Sequence, residues 1–280
     1  MSTPPVSHRP VVVIPIYKSA QSTVETLSIE RAVQTLARHA ICFVGPRHLL
    51  SHLTELSQRY HHGEQISVCT FDDRYFAGIK GYNALMRSRR FYAAFSGFSH
   101  ILIAQTDTLV LRDELNAWCA QDYAYIGAPW FVGGSQPQQP LEFMGVGNGG
   151  FSLRRVADFL RVLDGMHRIP NFIKSRQRVP TAWARLVRRL KHEWVLAYNR
   201  APFFPSSNED FFWGILVPAA CPFFRVPGLA AASRFAFEVE PRHLYALNGG
   251  QLPFGCHAWE RYDRAFWLQV LPELRHEAVS

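Results

Sequence analysis

The first hundred residues alternate between short, almost unbroken apolar runs and longer stretches in which apolar positions recur every three or four residues. Val11–Tyr17 (VVVIPIY), His39–Val44, Ile66–Phe71 and His100–Ala104 are the unbroken runs, rich in β-branched and aromatic residues. Runs of this kind predict strands buried on both faces, as in a parallel sheet. Between them lie helical spacings at Thr26–Ala37, through Leu49, Leu50, Leu53 and Leu56, and over Ile79–Phe95 with Tyr82, Leu85, Met86 and Phe91 inward. The β-α-β-α-β-α-β order predicts an α/β fold with a mostly parallel sheet flanked by helices. Beyond residue 107 the rhythm changes. Val110–Cys119 reads as a short strand and a helical turn, Tyr123–Trp130 as a strand, and Phe131–Pro140 as a Gly/Pro/Gln-rich loop. Phe151–Leu153 reads as a strand, Arg154–Leu163 as a helix, and Phe211–Phe224 as a buried helix and its exit. No repeat or linker interrupts the chain. The expected organisation is a flexible start over 1–10 and one domain over 11–270, with a donor-binding half at about 11–110 and an acceptor and catalytic half at about 111–270.

Composition narrows this picture only in places. A chain of 280 residues with 48% hydrophobic and 19% charged positions suits a globular protein. The five cysteines show neither zinc-type spacing nor a disulfide framework, which favours a reducing compartment. Met1–Pro10 carries no apolar signal core, and no run is long enough to span a bilayer, so a cytoplasmic protein is expected. The formal charge of +8 fits a polyanionic partner without choosing among nucleotide-sugar, anionic lipid and nucleic acid. No nucleic-acid-binding motif accompanies it.

Four constellations carry chemistry. Ile101–Asp107 (ILIAQTD) is an apolar run ending in a lone carboxylate. Ligands of parallel sheets bind at the carboxyl ends of strands, and hard cations such as Mg²⁺ and Mn²⁺ prefer oxygen ligands shared with substrate phosphates; the alternative is a turn-forming Asp. Gly147-Asn148-Gly149-Gly150 clusters glycines in a spacing that is neither a Rossmann fingerprint nor a P-loop, and it serves either as a ligand loop or as a tight turn. Asn208-Glu209-Asp210 opens a helix; acids there are ordinary helix-start chemistry, or a general base on a fixed mount. His257 stands among aromatic residues near the end of the chain, as a structural histidine or as a ligand to the metal that Asp107 would hold. Separately, residues 181–198 place Trp183, Leu186, Leu190, Trp194 and Tyr198 on one helical face, opposite Arg185, Arg188, Arg189 and His192. Such a helix can be a solvated surface helix or lie peripherally on an anionic membrane.

In their order along the chain, Gln105-Thr106-Asp107, the GNGG loop, Asn208-Glu209-Asp210 and His257 resemble the GT-A glycosyltransferases. The phrases ILIAQTDTLVL, DYAYIGAPW, GNGGFSLR, NEDFFW and LPFGCHAW look like a bacterial and viral group of such proteins associated with surface polysaccharide assembly. The resemblance covers about Val11 to Trp267. It implies that Asp107 matches the last acid of a DxD metal motif, with Thr106 before it and Gln105 where the first acid would stand. That departure removes one charge from the site of a Mn²⁺ or Mg²⁺ ion, to which His257 would be a second ligand. Asp210 matches the base of inverting members, with Glu209 beside it to orient acceptor or base. Trp130, Asn148, Gly149 and Gly150 would line the donor sugar and acceptor, Pro15 and Tyr17 the nucleotide base, and Lys80 and Asn83 the ribose or phosphate.

The implied activity is an inverting transfer of a hexosyl or deoxyhexosyl group from a nucleotide-diphosphate sugar to a hydroxyl of a glycan or lipid-linked acceptor. One base and one metal carboxylate suit that chemistry. Two alternatives stay open: a nucleotidyltransferase, against which Tyr17-Lys18-Ser19-Ala20 lacks the glycine-rich loop, and a non-catalytic carbohydrate- or nucleotide-binding protein, which the missing first acid favours.

Overall fold

The computed structural model describes residues 9–60, 66–165 and 208–277. The amphipathic basic segment 181–198 lies outside the described residues. Strands β1 (Pro10–Pro15), β2 (Ala40–Pro46), β3 (Ser67–Phe71) and β4 (His100–Ala104) run parallel, and β9 (Phe151–Arg155) and β6 (Tyr125–Ile126) complete one six-stranded sheet in the order β3-β2-β1-β4-β9-β6. β9 is antiparallel to both of its neighbours. The four parallel strands coincide with the four apolar runs; β1, β2 and β4 are covered on both faces, whereas β3 lies at the sheet edge and, against expectation, is only partly buried, with Ser67 exposed. Val11, Val13, Ile101 and Ile103 face one core with Phe91, Tyr92, Phe159 and Trp213. Val12, Ile14, Leu102 and Ala104 face the other with Ile29, Val33, Leu53 and Leu56. Strand side chains alternate faces, so a strand buried on both sides has no polar positions to spare.

Helices α1 (Thr23–Thr35) and α2 (Leu50–Arg59) cover one face. On the other, the single helix expected over Ile79–Phe95 is two, α3 (Ile79–Met86) and α4 (Arg89–Ala94). The Ser88 side chain breaks it by accepting from the backbone N–H of Phe91 while donating to the carbonyl of Leu85, the turn chemistry with which serine competes against a helix interior. The single strand expected over Tyr123–Trp130 is likewise two, β6 in the main sheet and β7 (Pro129–Phe131) paired antiparallel with β8 (Phe143–Val146). The helix following β9 starts at Val156, because Arg154 and Arg155 still belong to the strand. The buried helix expected from Phe211 is a helical run of three pieces, Glu209–Phe211, a π turn over Phe212–Leu216, and Val217–Ala220. A second, three-stranded sheet of β5 (Thr108–Val110), β10 (Ala236–Phe237) and β11 (Gly255–His257), which the sequence pattern did not announce apart from its first strand, packs a third core around Trp259 and Trp267. Among the described residues no helix is long and apolar enough to cross a membrane.

Candidate active site

Topology brings distant motifs to one place. β4 ends at Ala104, and Gln105-Thr106-Asp107 form the turn into β5, closed by hydrogen bonds from the Thr108 N–H (3.1 Å) and hydroxyl (2.8 Å) to the Gln105 carbonyl. Because β9 is antiparallel to β4, with Ala104 opposite Phe151, the GNGG loop before β9 lands beside this turn, and the Gln105 N–H donates to the Gly150 carbonyl at 2.8 Å. β11 pairs antiparallel with β5, with His257 opposite Thr108, and the Ala258 N–H donates to the Asp107 carbonyl at 2.9 Å. Thus residues some 150 positions apart meet at the carboxyl end of the central strand.

The side chains there form a connected acidic arrangement. His257 Nε2 lies 3.3 Å from Asp107 Oδ1, and its Nδ1 lies 2.9 Å from Glu238 Oε1. Burial alone would lower the imidazole pKa; the two flanking carboxylates outweigh it and raise it to about 10. Burial likewise opposes ionisation of Asp107, and His257 holds its carboxyl below the usual range all the same. Asp107 remains half exposed, open to a ligand. The other oxygen of Glu238, Oε2, accepts from Trp130 Nε1 at 3.3 Å, and the Trp130 ring stacks on Phe211 at 6.5 Å.

Asp210 sits across the same loop. Its carboxylate accepts from the N–H groups of Phe211 (2.8 Å) and Gly149 (3.5 Å). Burial and the adjacent charge of Glu209 nevertheless push it up to about 7. Glu209 is buried and bonded to the fully buried Arg154 (2.9 Å), and its Oε2 has no hydrogen-bond partner among the described residues. A direct grip of Glu209 on an acceptor therefore does not fit its position. Arg154 also donates to Tyr92 (3.0 Å), Ser152 (3.0 Å) and the Gly149 carbonyl (3.3 Å), so one guanidinium anchors both the glycine loop and the helix start. Asn83, read as a ribose or phosphate contact, is spent elsewhere. Its Oδ1 accepts from the Glu209 N–H at 3.1 Å and its Nδ2 donates to Asn208 at 3.4 Å, capping that helix from outside. Lys80 is exposed on α3. Pro15 is buried at the end of β1, and Tyr17, just beyond, packs edge-on against Phe76 and Tyr82 and accepts from Gln105 Nε2 at 3.1 Å.

The glycines of the loop are required by close packing and not by positive φ. The residue at positive φ is Asn148 (66°), whose side chain accepts from the Gly150 N–H at 3.1 Å. A Cβ at Gly147 would lie 2.2 Å from the Trp130 ring, at Gly149 1.9 Å from Glu209 Oε1, and at Gly150 2.2 Å from His257 Nε2. Each glycine makes room for a side chain of the site. Arg154 and Glu238 escaped the sequence reading. Arg154 had a signal, since Ser152 and Arg154 share one face of the strand, opposite Phe151 and Leu153, and so point to a polar pocket; Glu238 had none.

The family described as "Protein of unknown function (DUF5672)" matches residues 65–257, most of the chain. The chain belongs to that family. Its fold is shared with solved glycosyltransferase structures. An active-site mutant of LgtC is 14% identical, with 95% of each chain covered and a TM-score of 0.51. The galactosyltransferase LgtC in complex with donor and acceptor sugar analogs is 14% identical over 97% of this chain and 96% of that one, with a TM-score of 0.49. Mouse xyloside xylosyltransferase 1 is 12% identical over 89% of this chain and 97% of that one, with a TM-score of 0.45. No curated protein matches the sequence. The DUF5672 chain therefore has a GT-A-like glycosyltransferase fold, on which the turn at Asp107 and the helix start at Asp210 flank one loop.

Proposed function

We propose that this DUF5672 protein is an inverting glycosyltransferase that moves a hexosyl or deoxyhexosyl group from a nucleotide-diphosphate sugar to a hydroxyl of a glycan or lipid-linked acceptor in surface polysaccharide biosynthesis. The observation that carries the reading is Asp210, a half-buried carboxyl raised to about 7 and held beside the same glycine loop that packs on His257. A base with a pKa near the working pH combines adequate ionisation with proton affinity. Asp210 would take the acceptor hydroxyl's proton as its oxygen bonds to the anomeric carbon, and the diphosphate leaves from the opposite face. Glu209 acts through its charge on Asp210 and through Arg154. Trp130 with Asn148, Gly149 and Gly150 borders the sugar, and Pro15, Tyr17, Lys80, Gln105 and Thr106 border the nucleotide, where Asn83 contributes only by holding the helix start.

Asp107 and His257 fit a Mn²⁺ or Mg²⁺ ion. Their 3.3 Å separation is close to the spacing of about 3 Å between adjacent ligands of a six-coordinate hard cation. Among the described residues no group of three or more His, Cys, Asp or Glu is arranged around a metal, so this pair would share the ion with the donor diphosphate. When bound, the cation would offset charge on the leaving diphosphate. The segment 181–198 would hold the enzyme at the inner face of an anionic membrane near a lipid-linked acceptor. Sedimentation with anionic liposomes at low salt tests this, and wild-type protein left in the supernatant would refute it.

Incubation with UDP-, GDP- and dTDP-sugars in Mn²⁺, followed by NMR of the product anomer, tests the function. Turnover of one donor with inversion is expected. A retained configuration would overturn the assigned mechanism. Nucleotide binding without turnover of any donor would favour the second reading, a non-catalytic sugar-nucleotide binder, which the neutral Gln105 bonded to Tyr17 supports.

A further inference from the structure

We propose that Glu238 is a positioning residue of the cation site: it sets the tautomer and orientation of His257 and couples them to Trp130. The inference rests on the reading that Asp107 and His257 hold a divalent cation. β10 ends at Phe237, paired parallel with Cys256 of β11, so the next residue of each strand, Glu238 and His257, emerge side by side. The Glu238 carboxylate is 11% exposed, and each oxygen already has a protein partner, Oε1 with His257 Nδ1 (2.9 Å) and Oε2 with Trp130 Nε1 (3.3 Å). It is thus placed to act through its neighbours and not as a ligand itself.

A histidine that donates one ring N–H to a carboxylate presents the other nitrogen's lone pair in a fixed direction, with raised basicity. Here that nitrogen, Nε2, points to Asp107. Gly150 packs against the Nε2 end of the ring, where a Cβ would lie 2.2 Å from Nε2, while Glu238 holds the Nδ1 end. Glu238 also restores charge. Gln105 leaves Asp107 as the one acid of its turn, and a second carboxylate one hydrogen bond behind the histidine returns negative potential to the site. Through Oε2 the same carboxylate holds Trp130, whose ring stacks on Phe211 next to Asp210. Cation site and sugar-facing aromatic are therefore joined by a single side chain.

The test is Mn²⁺ titration of the full chain in the presence of UDP, followed by electron paramagnetic resonance, for wild type, Glu238→Gln, Glu238→Ala and Trp130→Phe. Glu238→Ala should weaken Mn²⁺ binding by about 10- to 100-fold, the usual worth of such a carboxylate. Glu238→Gln can still accept from Nδ1–H and should fall between wild type and Glu238→Ala. Trp130→Phe keeps an aromatic ring but removes the donor to Glu238 Oε2, and should leave Mn²⁺ affinity within a few-fold. Nitrogen-15 NMR of the His257 ring without metal adds a readout independent of activity. The wild type should show an Nδ1–H protected from exchange with solvent by its bond to Glu238, and Glu238→Ala one that exchanges freely. If Glu238→Ala fails to fold, Glu238→Gln carries the comparison. Equal Mn²⁺ affinity and an unchanged Nδ1–H in the variants would overturn the role of Glu238 while leaving the cation site standing. Wild-type protein that binds no Mn²⁺ with UDP present would overturn both.

Discussion

Replacing Asp210 with Asn separates catalysis from stability in a way that a structural aspartate would not. Asn keeps the shape and can still accept from the Phe211 N–H, which Asp210 binds at 2.8 Å. It removes the charge that burial and Glu209 penalise. The sign follows from the folded-state pKa of about 7 standing above the ordinary 3.8. Between those values the folded protein binds a proton that the unfolded chain releases. The carboxyl's contribution to stability is therefore complete below pH 4 and is lost as pH rises through about 7. Across the whole gap the loss corresponds to about 4 kcal/mol, and about 3 kcal/mol of it falls between pH 5 and pH 8. Asn titrates at neither pH. Asp210→Asn should thus gain stability relative to wild type on moving from pH 5 to pH 8, by up to about 3 kcal/mol, while turnover falls by about 10²- to 10⁴-fold. Urea unfolding at the two pH values reads the first effect, and initial rates with the donor identified by screening read the second. Wild-type kcat/KM should rise through about pH 7, as the base ionises. A stability difference that does not change with pH, or near-native turnover in Asp210→Asn, would refute the reasoning.

Arg154→Met should cost about 3–5 kcal/mol in urea unfolding, because it strands the Glu209 carboxylate in the core. Glu209→Gln removes the like charge beside Asp210 and should move the rise of the pH–rate profile to lower pH, with turnover retained better than in Asp210→Asn. Gly150→Ala would meet the His257 ring at 2.2 Å, so calorimetry should show Mn²⁺-dependent UDP binding weakened by at least about tenfold, as expected when a positioned ligand is displaced. EDTA should abolish nucleoside-diphosphate binding by wild type; equal affinity in EDTA and in Mn²⁺ would rule out the metal role of Asp107 and His257.

Much of the scaffold is legible without coordinates. Strands buried on both faces must be apolar throughout, so β1, β2 and β4 stand out as runs, and α1 and α2 as 3.6-residue periodicities between them. Asp107 is legible for the same reason, as a carboxylate where such a run stops. What stayed hidden depends on the specific partner each polar group finds, near or far in sequence. Ser88 breaks a helix whose apolar spacing continues across it, because its hydroxyl bonds the backbone locally. Asn83 looks available for a ligand until the start of the later helix, 126 residues on, is seen to occupy it. The glycines suggest backbone freedom, whereas their real constraint is steric, imposed by Trp130, Glu209 and His257 from three other segments. Glu238 follows a two-residue strand too short to leave a periodic signature, and acquires meaning only through its pairing beside His257. Local pattern records how each segment buries its own apolar surface. The positions of the charges relative to one another are set by which strands pair and in what register, as where His257 lies opposite Thr108, and composition and spacing do not encode that.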